Sequence, residues 1–187
     1  MILLFITLFS SIFVLFGCFF VIIAVYSHVV GNAKGALFLP SNRLQIKTMV
    51  DLAEIRKGTR VVDLGSGDGA IILEAAREGA IAIGIEFNPF LVRYSRWRAK
   101  RRKISDRVTI IKGDMMDYSL RDADVVFLYL LPKTLEKMSE KLRLELSDNA
   151  RIVSNTFILP GWTPIKEKDG IFLYQQKICK NTHSMLK

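Results

Sequence analysis

Val61-Val62-Asp63-Leu64-Gly65-Ser66-Gly67-Asp68-Gly69 decides how this chain is read. A short apolar run leads into a turn with glycine at every second position, so the backbone can approach a bound ligand where a Cβ would collide. Gly84-Ile85-Glu86 comes next, an apolar run ended by a carboxylate at about the distance where nucleotide-binding α/β folds place the acid that holds a ribose. Gly113-Asp114-Met115 is a third junction of the same kind. Together they imply a site for an adenosine-containing cofactor.

The turn itself narrows the choice of cofactor. A dinucleotide fingerprint reads G-x-G-x-x-G and leaves a helix N-terminus free for pyrophosphate, while a P-loop needs G-K-[ST]. Here the pattern is G-x-G-x-G, with the carboxylates Asp63 and Asp68 beside the place a phosphate would take. Negative charge there repels pyrophosphate and suits a cation. S-adenosyl-L-methionine has a positive sulfonium, a positive amino group, no phosphate, and two ribose hydroxyls to offer Glu86. The stretch resembles motif I of class I methyltransferases; a plain glycine-rich turn and a NAD site are the competing readings.

The chain of 187 residues has room for one domain and an appendage. From Met1 to Val30 there is no Lys, Arg, Asp or Glu, and the run is long enough at 1.5 Å per residue to cross a hydrocarbon core of roughly 30 Å. The sequence predicts a transmembrane helix there rather than a signal peptide, which would carry a basic start and a shorter apolar stretch. Positive charge begins only at Lys34, Arg43 and Lys47, so the positive-inside rule predicts a single-pass protein of the cell membrane with its C-terminal domain in the cytoplasm. Phe5, Phe9, Phe13, Phe16 and Phe20 recur at helical spacing, either as a contact stripe or as lipid-facing bulk. The formal net charge of +9 lies entirely beyond residue 33 and would draw that part to anionic headgroups or, less readily, to nucleic acid. Cys18 and Cys179, and His28 and His183, show no spacing of a metal site or a disulfide framework.

Residues 1–30 therefore read as anchor, 31–58 as linker and helix with Ser41 as its cap, and 59–187 as the catalytic domain. In that domain apolar runs and helical stretches alternate: Arg60 to Leu64, Ala70 to Glu78, Ala82 to Glu86, Phe90 to Lys103, Val108 to Lys112, Val125 to Tyr129, Lys133 to Glu145 and Arg151 to Asn155. Such βα units predict an α/β, Rossmann-like, doubly wound, mostly parallel sheet. Trp162 to Glu167, the turn Lys168-Asp169-Gly170, and Ile171 to Ile178 predict a C-terminal β-hairpin, with no helix between Asn155 and Trp162.

Ligands in such sheets bind beyond the carboxyl ends of the strands. Resemblance to the methyltransferase fold implies that Gly65, Ser66 and Gly67 line the methionine moiety with Asp63 near its amino group. It also implies that Glu86 accepts from both ribose hydroxyls, Asp114 accepts from the adenine amino group, and Met115 packs on the ring. Singly, Asp63 also reads as a helix cap, Glu86 as a solvated strand end and Met115 as core. Tyr129, Phe157 and Trp162 are candidates for an aromatic slot holding an acceptor amine by cation–π contact, or else plain core. The basic run Arg93, Arg96, Arg98, Lys100, Arg101, Arg102 and Lys103 reads as a solvated or membrane-facing helix end, with RNA binding as the other option.

Phe38-Leu39-Pro40-Ser41, the glycine turn, Glu86-Phe87-Asn88-Pro89-Phe90-Leu91-Val92 and Tyr94-Ser95-Arg96-Trp97-Arg98 resemble one family over roughly residues 36–160. It is the family of membrane-associated lysine methyltransferases that modify the adenine nucleotide translocase and the ATP synthase c-subunit, with their prokaryotic relatives. Ser41 for a Thr and Ala70 for an Arg depart from its pattern. The resemblance implies methyl transfer from S-adenosylmethionine to a lysine of a membrane protein. The rival readings are a lipid, quinone or RNA acceptor, and a non-catalytic methyltransferase-like assembly factor.

Overall fold

The computed structural model describes residues 9–22 and 41–176. The chain divides into two units, Met1–Leu37 and Phe38–Lys187.

In the first unit residues 9–22 form a helix, α1. At 1.5 Å per residue its described residues extend about 21 Å, against the roughly 30 Å of a hydrocarbon core. Among the described residues no helix is long and apolar enough to cross a membrane. This corrects the expected transmembrane helix over residues 1–30, and the single-pass placement in the cell membrane with a cytoplasmic domain has no span among the described residues to rest on. Residues 1–8 and 23–30 of that run, with Phe5, lie outside the described residues. So do Lys34, Phe38 to Pro40, and the hairpin end beyond Gln176.

The second unit opens with α2 (Arg43–Ala53). Asn42, not Ser41, is its cap: Asn42 Oδ1 accepts from the Gln45 N–H at 2.8 Å and Gln45 Oε1 accepts from the Asn42 N–H at 3.0 Å. This reciprocal pair satisfies two of the backbone donors that a helix start leaves over. Then come β1 (Arg60–Leu64), α3 (Ala70–Arg77), β2 (Ile81–Glu86), α4 (Pro89–Arg101), β3 (Val108–Lys112), β4 (Val125–Leu128), α5 (Pro132–Glu145), β5 (Arg151–Asn155), β6 (Lys166–Lys168) and β7 (Ile171–Gln175).

The strands form one seven-stranded sheet in the order β3-β2-β1-β4-β5-β7-β6. The first five are parallel, while β7 runs antiparallel to both β5 and β6. The expected fold is thus corrected in a second respect: the sheet is mixed, and β6 is shorter than the expected strand because Trp162 leaves the edge for the core. Strand order reverses between β1 and β4, which opens a crevice beyond their carboxyl ends.

Alternation along the strands supplies two apolar faces. Val62, Leu64, Ile85, Leu128 and Ile152 pack with Leu135, Met138 and Leu142 of α5. On the other face Val61, Val125, Phe127 and Val153 meet α2 and α3, while Ala82, Val108 and Ile110 meet α3 and α4. The segment from Thr156 to Ile165 contains no helix and is tied down by side chains instead. Tyr174 Oη accepts from the Leu159 N–H at 2.9 Å, Ser139 Oγ donates to the Pro160 carbonyl at 2.9 Å, and Trp162 Nε1 donates to Ser139 Oγ at 2.7 Å.

Gly84 sits where β2 passes closest to the glycine turn. A Cβ there would lie 2.6 Å from Ser66 Oγ and 2.7 Å from Ile72 Cδ1. Gly84→Ala is therefore expected to destabilise the domain by about 1–3 kcal/mol, the usual cost of overpacking, measured by urea denaturation.

Candidate active site

The glycine turn is held open by backbone and side chain together. Gly65, Gly67 and Gly69 have φ of 80°, 54° and 76°, in the left-handed region that favours glycine. The Gly65 and Ser66 N–H groups donate to the Ile85 carbonyl at 2.9 and 3.0 Å, and the Gly69 N–H donates to the Ser66 carbonyl at 2.8 Å. This bends the chain back over the end of β2.

Glu86, the last residue of β2, joins the turn to α4. Its Oε2 accepts from the Gly67 N–H at 2.8 Å and its Oε1 from the Asn88 N–H at 2.7 Å. Asn88 in turn caps α4, accepting from the Phe90 N–H at 2.9 Å. The Glu86 carbonyl accepts from the Gly113 N–H at 3.1 Å, so the junction after β3 hangs on the same residue. Glu86 is thus a buried, bonded carboxylate and not a solvated strand end. Each carboxylate oxygen has a second lone pair, so both can still accept from a ligand diol.

Asp63 lies at the end of β1 with only 3 % of its surface exposed. Burial, and then the charges of Glu86 and Asp68, push its carboxyl up to about 8. Asp68 differs, because Arg98 donates to its Oδ2 and, at 2.7 Å, to its backbone carbonyl. Its Oδ1 accepts from the Ala70 N–H at 3.1 Å, at the start of α3. Of the two carboxylates expected to favour a cation, one is neutralised by an arginine.

Ser66 Oγ is buried and has no hydrogen-bond partner, an orphan donor and acceptor inside the turn. Together with the positive-φ glycines and the unsaturated Glu86 carboxylate it fits a polar cofactor laid across the end of β1. Asp114, at the β3 junction, is half-buried, and its Oδ1 accepts from the Met116 N–H at 3.0 Å. Met115 is half-buried and packs against the core on the α5 side.

The aromatic candidates separate. Tyr129 follows β4 directly and Phe157 lies two residues beyond β5; both are half-buried. Trp162 is 5 % exposed, its indole N–H is satisfied by Ser139, and its ring meets Tyr174 edge-on at 6.3 Å. It has little surface to offer an acceptor.

Three residues carry more than their sequence context suggested. Arg98 belongs to the basic run, yet it turns inward to the glycine turn, and Arg96 likewise donates to the Ile110 carbonyl. What remains outward on α4 is an aromatic ledge: Tyr94 and Trp97 stack at 5.7 Å, with the Arg101 guanidinium over the indole. The ledge follows from the i, i+3 spacing of Tyr94 and Trp97. Asn155 closes β5 almost fully buried, its Oδ1 accepting from the Thr156 hydroxyl at 3.0 Å while Nδ2 has no partner. A lone Asn at a strand end gave no signal. Among the described residues no group of His, Cys, Asp and Glu is placed to hold a metal ion.

An α/β sheet of this strand order, with a glycine turn after β1 and an acid closing β2, defines the methyltransferase fold, and likeness in sequence narrows it. Residues 63–166 match the ANTKMT methyltransferase domain, and the chain belongs to that family. It is 37 % identical over 127 residues to the ATP synthase c-subunit lysine N-methyltransferase of Mus musculus, covering 68 % of this chain and 51 % of that protein. The chain thus spans about half the length of that relative. A protein-lysine N-methyltransferase of Saccharolobus islandicus (strain REY15A) is 31 % identical over 147 residues, covering 73 % of this chain and 91 % of that protein. Among solved structures, the RNA methyltransferase from Salinibacter ruber in complex with S-adenosyl-L-homocysteine superposes with a TM-score of 0.69 at 35 % identity, covering 73 % of this chain and 91 % of that one.

The buried Asp63 carboxyl has a measurable signature. Its folded pKa lies above the unfolded value of 3.8, so the folded state holds the extra proton between about 4 and about 8. Stability from this group is complete below the unfolded pKa and is lost as pH rises through the folded one. Asp63→Asn is expected to flatten that decline, leaving the variant more stable than the parent at pH 8 in cofactor-free thermal melts.

Proposed function

We propose that this chain transfers a methyl group from S-adenosyl-L-methionine to a lysine side chain of a protein. The observation that carries the reading is the match of residues 63–166, which contain the whole glycine turn, Glu86 and Asp114, to a methyltransferase family with lysine methyltransferases among its relatives. A membrane protein as bearer of the lysine belongs to the same proposal, and is supported by the name of the mouse relative, which acts on the ATP synthase c-subunit.

When bound, S-adenosylmethionine supplies an electrophilic methyl on a positive sulfur, open to in-line attack by an amine lone pair. The chain's part is binding, alignment and desolvation. The Gly65–Gly67 backbone and the orphan Ser66 hydroxyl line the methionine moiety, and Asp63 faces its amino group. Two cationic charges brought to this end of β1 favour the ionised form of Asp63. Glu86 accepts from the ribose hydroxyls with the lone pairs its backbone bonds leave free. Asp114 accepts from the adenine amino group, and Met115 packs on the ring.

A lysine amine has an ordinary pKa of about 10.4 and must arrive neutral. The half-buried aromatic side chains of Tyr129 and Phe157, each just beyond a strand end, are the candidates for lowering that value by desolvation. The aromatic faces also attract the methylated ammonium that forms. Trp162 is left out of this pair because it is spent in the core.

Two measurements test the reading. Glu86→Ala is expected to weaken S-adenosylmethionine binding by about 1.5 to 3 kcal/mol, the range for hydrogen bonds to a charged group, read by calorimetry. Labelled cofactor incubated with the protein and cell extract is expected to leave its methyl in the protein fraction as methyllysine, read by mass spectrometry. Label confined to lipid or RNA would overturn the lysine assignment.

A further inference from the structure

Arg98 stands 30 residues beyond Asp68 in sequence and in the last turn of α4, yet it is the cation that closes the glycine turn. Its Nη1 donates both to the Asp68 carbonyl, at 2.7 Å, and to the Asp68 carboxylate, and both side chains are mostly buried. The Tyr94 ring lies under the guanidinium at 5.7 Å, one turn back on the same helix. Between these contacts Ser95 touches the turn directly: a Cβ on Gly69 would lie 2.9 Å from Ser95 Cβ. The contacts form a closed circuit. Gly67 bonds to Glu86, Glu86 to Asn88, Asn88 caps α4, and α4 returns through Arg98 to Asp68, the neighbour of Gly67.

Resting on the methyltransferase reading, we propose that Arg98 is a positioning residue for the methyl donor. It ties Asp68 of the glycine turn to α4 while Glu86 ties the adjacent Gly67 to the end of β2, so the backbone that meets the cofactor is fixed before the cofactor arrives. A turn held by only one of these ties would have to be ordered at the expense of binding free energy. The pairing has an electrostatic side as well. Three carboxylates, Asp63, Asp68 and Glu86, gather at one short turn, and Arg98 offsets the one that also accepts from the Ala70 N–H. The bond is charge-assisted and partly shielded from water, a setting that strengthens such contacts.

The test is S-adenosylmethionine binding by calorimetry to the full chain and to Arg98→Met, Asp68→Asn, the double variant and Arg98→Lys, with circular dichroism and thermal melting alongside. Each of Arg98→Met and Asp68→Asn is expected to weaken binding on the order of tenfold. The double variant is expected to be no worse than Arg98→Met alone, because that substitution already removes the ion pair that Asp68→Asn breaks. Arg98→Lys, which keeps a cationic donor, is expected to recover part of the affinity. A fall in melting temperature with unchanged cofactor affinity would make Arg98 merely structural and overturn the proposal, and so would additive losses in the double variant. If Arg98→Met does not fold, Asp68→Asn and Arg98→Lys carry the comparison, and parental affinity in both overturns it. If the unaltered chain itself fails to bind S-adenosylmethionine, the methyltransferase reading falls first and this inference with it.

Discussion

One buried carboxylate holds the site together. Glu86 accepts backbone hydrogens from the turn on one side and from the cap of α4 on the other, and its carbonyl receives the junction after β3. A carboxylate that is nine-tenths buried is costly unless its lone pairs are used, and here two backbone donors use them. The ends of β1, β2 and β3 are thereby placed in fixed relation by backbone hydrogen bonds to a single residue. Gly84 and the close packing of Ser66 against it are the steric counterpart, since β2 can approach the turn only because position 84 has no side chain.

Charge in the site is divided rather than pooled. Asp63 is deep and holds its proton, Glu86 is bonded to backbone, and Asp68 is paired with Arg98. Carboxylates this close cannot all remain ionised and uncompensated, so each is relieved by a different means: protonation, hydrogen bonding and an ion pair. The carboxylate left for a positive ligand is therefore the one that sits deepest, and a cation arriving there is met by a group able to give up a proton.

The sequence made the parallel part of the sheet legible because βα units with uninterrupted Val and Ile runs leave few alternatives, and the β5 bounds agree to the residue. The positions of the glycine turn, Glu86 and Asp114 at strand ends followed from the same pattern. The inward turn of Arg98 was not legible. In a run of seven basic residues nothing local distinguishes the one whose partner lies 30 residues earlier; only the packing of α4 over the turn does that. Trp162 stayed open between slot and core for a related reason: an aromatic near a strand end looks the same in sequence whether it faces a crevice or meets Ser139 of α5. At the N-terminus, composition measured how apolar the run is, and among the described residues no helix is long and apolar enough to cross a membrane.

The two tryptophans sit in opposite surroundings. Trp162 is enclosed beside Tyr174 and bonded to Ser139, while Trp97 is about half open to solvent, stacked on Tyr94 and overlain by Arg101. The intrinsic fluorescence of the chain is therefore the sum of two independent reporters. A red shift from Trp162 records loss of the apolar core. Quenching or a blue shift from Trp97 records events at the surface of α4, beside the neighbouring Arg98 that reaches the glycine turn. Unfolding and occupancy of that helix face can be followed separately in one unlabelled sample.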